Sequence, residues 1–296
     1  MGTTRMRIVA LACAAALAVL GACSDDSPTE PSDAASTEEP TPSEEPTSDP
    51  SPAEEATDDE TNTVSFQVWF ADGKQLAPAV ATIEATPQVG SAALEALIEG
   101  PAGAGDLTSA VPAGTSVDSL NIEGGTATVD LSTEFASGSG IPSMGMRLGQ
   151  LTFTLTQFPT VKRVVLEEEG ERVNEFSKEG LVIERPLTRA DFEDISPAII
   201  VDRPLGESET DSPVTISGTA NVFEANVSIR IVGSDGEKLA ETFTTATCGS
   251  GCRGKFSEAV EFDVEEPTEA TIQVFEESAE NGRPVNMIEI PVTLIP

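Results

Sequence analysis

The spacing of apolar residues changes several times along the chain, and each change marks a different kind of structure. Ile8 to Ala22 is almost continuously apolar, whereas Ser24 to Asn62 holds no large apolar residue. From Val64 a period of two begins: Val64, Phe66, Val68 and Phe70 alternate with Ser65, Gln67 and Trp69, which predicts a half-buried strand. Leu76 to Ile83 reads as a second strand or an extended connection. Thr86-Pro87 then supplies a cap and first turn for a helix through Ile98, with Val89, Ala93, Leu94, Leu97 and Ile98 as its apolar stripe. Gly100-Pro101 stops it.

Ala102 to Pro112 reads as a loop. Val117 to Ile122 and Thr126 to Leu131 flank Glu123-Gly124-Gly125, where glycines supply the positive φ of a tight hairpin. Met144, Leu148, Leu151, Leu155 and Phe158 recur at helical spacing, and Val161 to Leu166 is a further strand ending near Glu169-Gly170. The order β(β)-α-β-β-α-β predicts an α+β two-layer domain over 63–175, with helices on one sheet face and Leu94, Leu97, Leu151 and Leu155 in its core. Glu171 to Ser196, mixed in charge and containing Pro186, reads as one edge strand and then a linker over 176–196.

From Ile199 every segment has strand character: Ile199 to Val201, Val214 to Ser217, Val227 to Ile231, Lys238 to Thr245, Phe256 to Val264, Thr271 to Phe275 and Met287 to Leu294. Ser234-Asp235-Gly236 and Asn281-Gly282 provide turns. About seven strands in roughly 100 residues are the signature of an antiparallel sandwich, here 197–296. Its inward set is Val214, Ile216, Val227, Ile229, Ile231, Val260, Phe262, Ile272, Val274, Ile288, Ile290 and Val292.

Charge narrows the function. Lys and Arg number 16 against 51 Asp and Glu, a net charge of -35, so a nucleic-acid backbone is a poor partner. With His 0, Ser/His/Asp and Cys/His nucleophiles and HExxH zinc sites are excluded. Carboxylates remain. Asp130, Glu134, Glu167-Glu168-Glu169, Glu207 to Asp211 and Glu265-Glu266 read as solvating or capping acids; no Asp/Asn/Gly loop assembles the six to eight oxygens that calcium takes. A two-carboxylate hydrolase is a distant alternative, and aromatics at 4% give little to stack a sugar on. No cofactor or metal is expected.

Arg5 and Arg7 precede the run from Ile8 to Ala22, as in a secretory signal. That run falls short of the roughly 20 residues needed to cross a bilayer, and it ends in Leu20-Gly21-Ala22-Cys23. This tetrad resembles a bacterial lipobox, which implies removal of 1–22, acylation of Cys23, and tethering on the extracytoplasmic face of the cell membrane. Residues 23–62, rich in Pro, Ser, Thr, Glu and Asp, read as an extended acidic linker.

The segments Ala92-Ala93-Leu94-Glu95-Ala96-Leu97-Ile98-Glu99-Gly100-Pro101, Val111-Pro112-Ala113-Gly114-Thr115, Gly125 to Phe135 and Gln150 to Val161 resemble, in order, the GerM-type domain of sporulation and germination lipoproteins. Ser212 to Ala220, Val222 to Val227, Phe256 and Val274 to Gly282 resemble the immunoglobulin-like domain associated with spore-germination proteins. Together these resemblances imply a non-enzymatic envelope protein acting by protein contact, with envelope proteins or further copies of itself as partners. Binding of wall polymer or a small ligand is the alternative.

Cys248-Gly249-Ser250-Gly251-Cys252 holds the one cysteine pair beyond Cys23. An oxidising exterior favours a local disulfide. A zinc shell would lack its remaining ligands, and the pair lacks the two-residue spacing of redox-active thiols.

Overall fold

The computed structural model describes residues 62–138, 140–176 and 181–296. The expected signal peptide, Cys23 and the acidic linker to residue 61 lie outside the described residues. The architecture is an α+β two-layer domain followed by an all-β immunoglobulin-like sandwich.

β1 (Thr63–Asp72) and β2 (Gln75–Glu84) form an antiparallel hairpin, so Leu76 to Ile83 is a strand. α1 (Val89–Glu99) starts after Pro87: the Thr86 hydroxyl accepts the Gln88 N–H at 3.1 Å and shapes the preceding turn, without capping the helix. β3 (Val117–Glu123), β4 (Thr126–Leu131), β5 (Arg163–Glu168) and β6 (Glu171–Arg172) make a four-stranded sheet in chain order, with β4 and β5 parallel. Gly124 and Gly125 take φ of 55° and 80° in the β3–β4 turn, as a two-residue hairpin requires. α2 (Ile141–Thr156) is the central helix, and Leu94, Leu97, Leu151 and Leu155 are all buried.

Two expectations need correction. β1 is buried on both faces from Phe66 to Ala71, because Trp69 packs at a tilt against Phe153 of α2 with centroids 4.8 Å apart while Phe66 approaches Phe158. The stretch 176–196 is no free linker. It contains β7 (Glu175–Phe176, overlapping its start), β8 (Leu181–Val182) and a 3-10 segment Arg189–Ile195, and it contributes Phe176, Ile183, Leu187 and Phe192 to the first core. Phe176, Ile183 and Leu187 stand at helical spacing, but Gly180 and Pro186 interrupt the stretch, so the pattern names no continuous element there.

The sandwich is built from β9 (Ile199–Arg203), β10 (Ser208–Thr210), β11 (Val214–Ala220), β12 (Asn226–Gly233), β13 (Lys238–Thr245), β14 (Gly254–Val260), β15 (Thr268–Glu277) and β16 (Pro284–Leu294). One sheet has the order β10-β16-β15-β12-β13 and the other β14-β11-β9. All twelve predicted inward residues join its core, with Ile288 partly buried. Phe275 is buried too, but on the outer side of its sheet, where the Arg230 guanidinium lies 4.9 Å above its ring. Among the described residues no helix is long and apolar enough to cross a membrane.

Candidate functional site: the junction and its cleft

β9 begins the sandwich and also closes the first domain. Successive side chains on a strand point to opposite faces, and here both faces are covered: Ile199 and Val201 enter the sandwich core while Ile200 enters the first. Polar contacts reinforce this shared strand. Gln67 of β1, 6% exposed, donates Nε2 to the Val201 carbonyl at 3.0 Å. Arg189 lies over the rings of Phe153 and Trp69, donates to the Thr156 hydroxyl at 3.0 Å, and pairs with Asp202 of β9 at 3.0 Å.

A second clamp joins the 3-10 segment to the sandwich. Arg253 holds both carboxylate oxygens of Glu193, at 2.8 and 3.1 Å, and donates to the Pro197 carbonyl at 2.7 Å. Asn221 donates to the same carboxylate at 2.9 Å. The hydrogen bonds from Arg253 hold the Glu193 carboxyl below its ordinary value of 4.5, against the opposing effect of burial. A bidentate pair of this kind fixes orientation as well as adding energy.

Beside this junction lies a cleft of about 510 Å³, within the range of ligand-binding pockets. β2 around Pro78 and Val80 and the loop at Ala102–Ala104 form one wall; β9 is its floor; Pro204 to Glu207 and Ile288 to Pro291 of β16 form the other wall. Glu207 and Glu289 are the charged residues of the lining. Small and proline side chains leave main chain close to the surface, so the cleft offers shape, carbonyls and two carboxylates. Such a lining is suited to holding a ligand.

The other residues singled out in the sequence lie elsewhere, apart from Glu207. Cys248 and Cys252 are joined by a disulfide with Cα atoms 5.7 Å apart. Their loop is fastened to the 221–225 turn, where Ser250 N–H donates to the Val222 carbonyl and Gly251 N–H to Asn221. Glu167 follows Asp130 in register across β4 and β5, and Arg172 of β6 stands opposite Glu167. No group of three or more acids or cysteines able to hold a metal occurs among the described residues. Sequence reading missed Gln67, Arg189, Glu193 and Arg253. The one available signal was Gln67, a polar residue inside the apolar run from Phe66 to Ala71.

Residues 52–174 match the family described as sporulation and spore germination, and residues 198–283 match the immunoglobulin-like domain of bacterial spore germination. The chain carries one domain of each family. Neither family is known as enzymatic. The GerM-type half is similar to the first GerMN domain of the sporulation protein GerM from Bacillus subtilis, at 26% identity and TM-score 0.39, covering 43% of this chain and 98% of that one. The tandem GerMN domains of the same protein align at 19% identity and TM-score 0.41, over 79% of this chain and 61% of theirs. A putative lipoprotein from Clostridium perfringens aligns at 20% identity and TM-score 0.34, over 47% and 96%. No curated protein matches the chain. The junction and cleft therefore lie where the GerM-type domain meets the immunoglobulin-like domain.

Proposed function

We propose that this protein is a lipid-anchored envelope protein that acts by non-covalent contact, presenting its two domains as one rigid head at the end of an acidic tether. The observation that carries this reading is the division of β9 between two cores. A domain pair joined only by a flexible connector would present its surfaces independently, whereas a shared buried strand fixes them in one relative orientation. The tether rests on Leu20-Gly21-Ala22-Cys23 behind a basic and apolar leader, since two or more acyl chains give stable anchoring. The families assigned to both domains support a sporulation- or germination-type setting.

The test compares crosslinked partners captured from native membranes by the intact protein and by Cys23→Ala. The expected outcome is a reproducible set of exported or membrane proteins that is lost, together with membrane retention, in Cys23→Ala. Equal capture by both forms would refute the anchored role. The cleft favours a second reading, a wall-polymer or small-ligand binder, for which sedimentation of the protein with isolated cell wall is the measurement.

A further inference from the structure

We propose that the cleft between the two domains takes an extended, positively charged peptide segment of a partner protein, laid along the open margins of β9 and β16. This deepens the reading of the protein as one that works by protein contact, and rests on it.

The margins come from the topology. Among the described residues β9 is the edge strand of its sheet and pairs with β11 alone. The Ala198 carbonyl accepts the Asn221 N–H at 2.8 Å, on the β11 side. Main-chain groups alternate sides along an antiparallel strand, so those of Ile199 and Val201 point away from β11. The Val201 carbonyl confirms the direction by accepting from Gln67 across the junction. β16 is open in the same place. β10 pairs with its last part only, Ser208 to Thr210 against Val292 to Leu294, and Glu207 N–H reaches the Pro291 carbonyl at 2.7 Å. Upstream of Pro291, the side of β16 facing away from β15 has no paired strand among the described residues and borders the cleft at Ile288 to Ile290.

A strand margin that borders a cleft is the template for strand addition, in which main-chain bonds give affinity and side-chain contacts give selectivity. Here the selectivity is legible. Pro78, Pro204 and Pro291 with Ala79 and Gly103 leave space for small apolar side chains, and the charged lining residues, Glu207 and Glu289, are both exposed acids. Complementarity calls for lysine, arginine or a free amino terminus on the occupant. The chain's own acidic tether has the opposite charge and is excluded on that ground.

The test uses the full-length protein in detergent and two fluorescent peptides of alternating valine and alanine, one with lysine at both ends and one with glutamate. Anisotropy reports binding, and hydrogen exchange reports which amides are protected. The expected result is preferential binding of the lysine peptide, with slowed exchange at Ile199 and Val201 of β9 and at Glu289 of β16, the amides that face away from β11 and β15. The Glu207→Lys/Glu289→Lys double variant, with unchanged thermal midpoint, should bind that peptide about tenfold more weakly, on the scale of turning exposed attractive pairs into repulsive ones. It should gain affinity for the glutamate peptide. Equal binding of both peptides, or binding insensitive to the double variant, would overturn the proposal. So would protection of the same amides by soluble wall fragments with neither peptide bound, which identifies a wall-polymer site. Failure here with partners still captured in a Cys23-dependent way would leave the contact function standing and remove only the cleft from it.

Discussion

The two cores of this protein solve one problem in opposite ways. Among the described residues the GerM-type domain buries Gln67, Thr115, Arg147, Gln150, Thr152 and Thr154, and the segment leading into β9 adds Ser196, while the polar residue buried in the immunoglobulin-like sandwich is Ser228. Backbone satisfaction explains the difference. In the sandwich, ladders pair most main-chain groups, so side chains are free to be apolar. In the GerM-type domain β1 has a full strand partner on one margin only; on the other, Ala71 bridges Thr108 and the α2 end covers the rest: Thr154 accepts the Trp69 N–H at 3.0 Å, and Gln157 both accepts from and donates to the Gln67 main chain. Gln150 does the same for the loop, taking the Ala110 N–H at 2.9 Å and donating to the Thr108 carbonyl at 3.2 Å. Covering an edge with a helix protects it from pairing with other chains, and buried main-chain groups must find partners wherever no strand supplies them.

Arg147 is the extreme case. It is 3% exposed, lies near the rings of Phe135 and Phe176, and donates to the carbonyls of Ala110, Phe135 and Ser137. Burial pushes its guanidinium down from the ordinary value, but arginine keeps its charge throughout the accessible pH range. Its positive charge is spread over three carbonyl dipoles that close the loop before α2.

The largest expected effect is on the sandwich side. A Cβ placed on Gly218 would lie 1.9 Å from the Ile200 carbonyl oxygen, at the register shift between β11 and β9. Gly218→Ala must displace main chain, and we expect a loss of about 4 kcal/mol in urea unfolding, accompanied by faster hydrogen exchange in β9. A loss under about 1 kcal/mol would mean that β9 is not held as tightly as the shared-strand junction requires. Next comes Arg147→Met, which keeps length and apolar contact but leaves three carbonyls without their donor. A cost of about 3 kcal/mol is expected from the unfolding midpoint; a neutral result would show that the polar residues of this core are replaceable as a class.

The smallest effect belongs to the joint between the halves. Glu193→Gln should cost about 1 kcal/mol, discounted because the carboxylate is partly exposed. The folded state holds this carboxyl below its ordinary 4.5, so its contribution is complete above that pH and disappears as pH falls through the lower folded value. Thermal midpoints of the parent and Glu193→Gln should therefore differ at neutral pH and converge on acidification below 4.5. A difference that persists undiminished at low pH would assign the effect to packing.

The sequence by itself determined the local elements and the two core faces, because these follow from the period of apolar residues: the helix stripe with Leu94 and Leu97, the Gly124-Gly125 turn, and the twelve inward residues of the sandwich were all legible. Cys248 and Cys252 were also legible as neighbours, since only a short loop separates them. What pattern could not supply was any relation between distant segments. Phe176, Ile183 and Leu187 are spaced as on a helix that Gly180 and Pro186 forbid, and they and Phe192 are buried because the folded surface of the first domain receives them. Glu193 and Arg253 looked like ordinary solvated charges until the fold brought them together. Only tertiary structure decided that Ile200 belongs to one core and its two neighbours to the other, because a strand's alternation says that its faces differ and leaves open what covers each. The cleft follows from that decision: it exists only where the two domains are held against one strand.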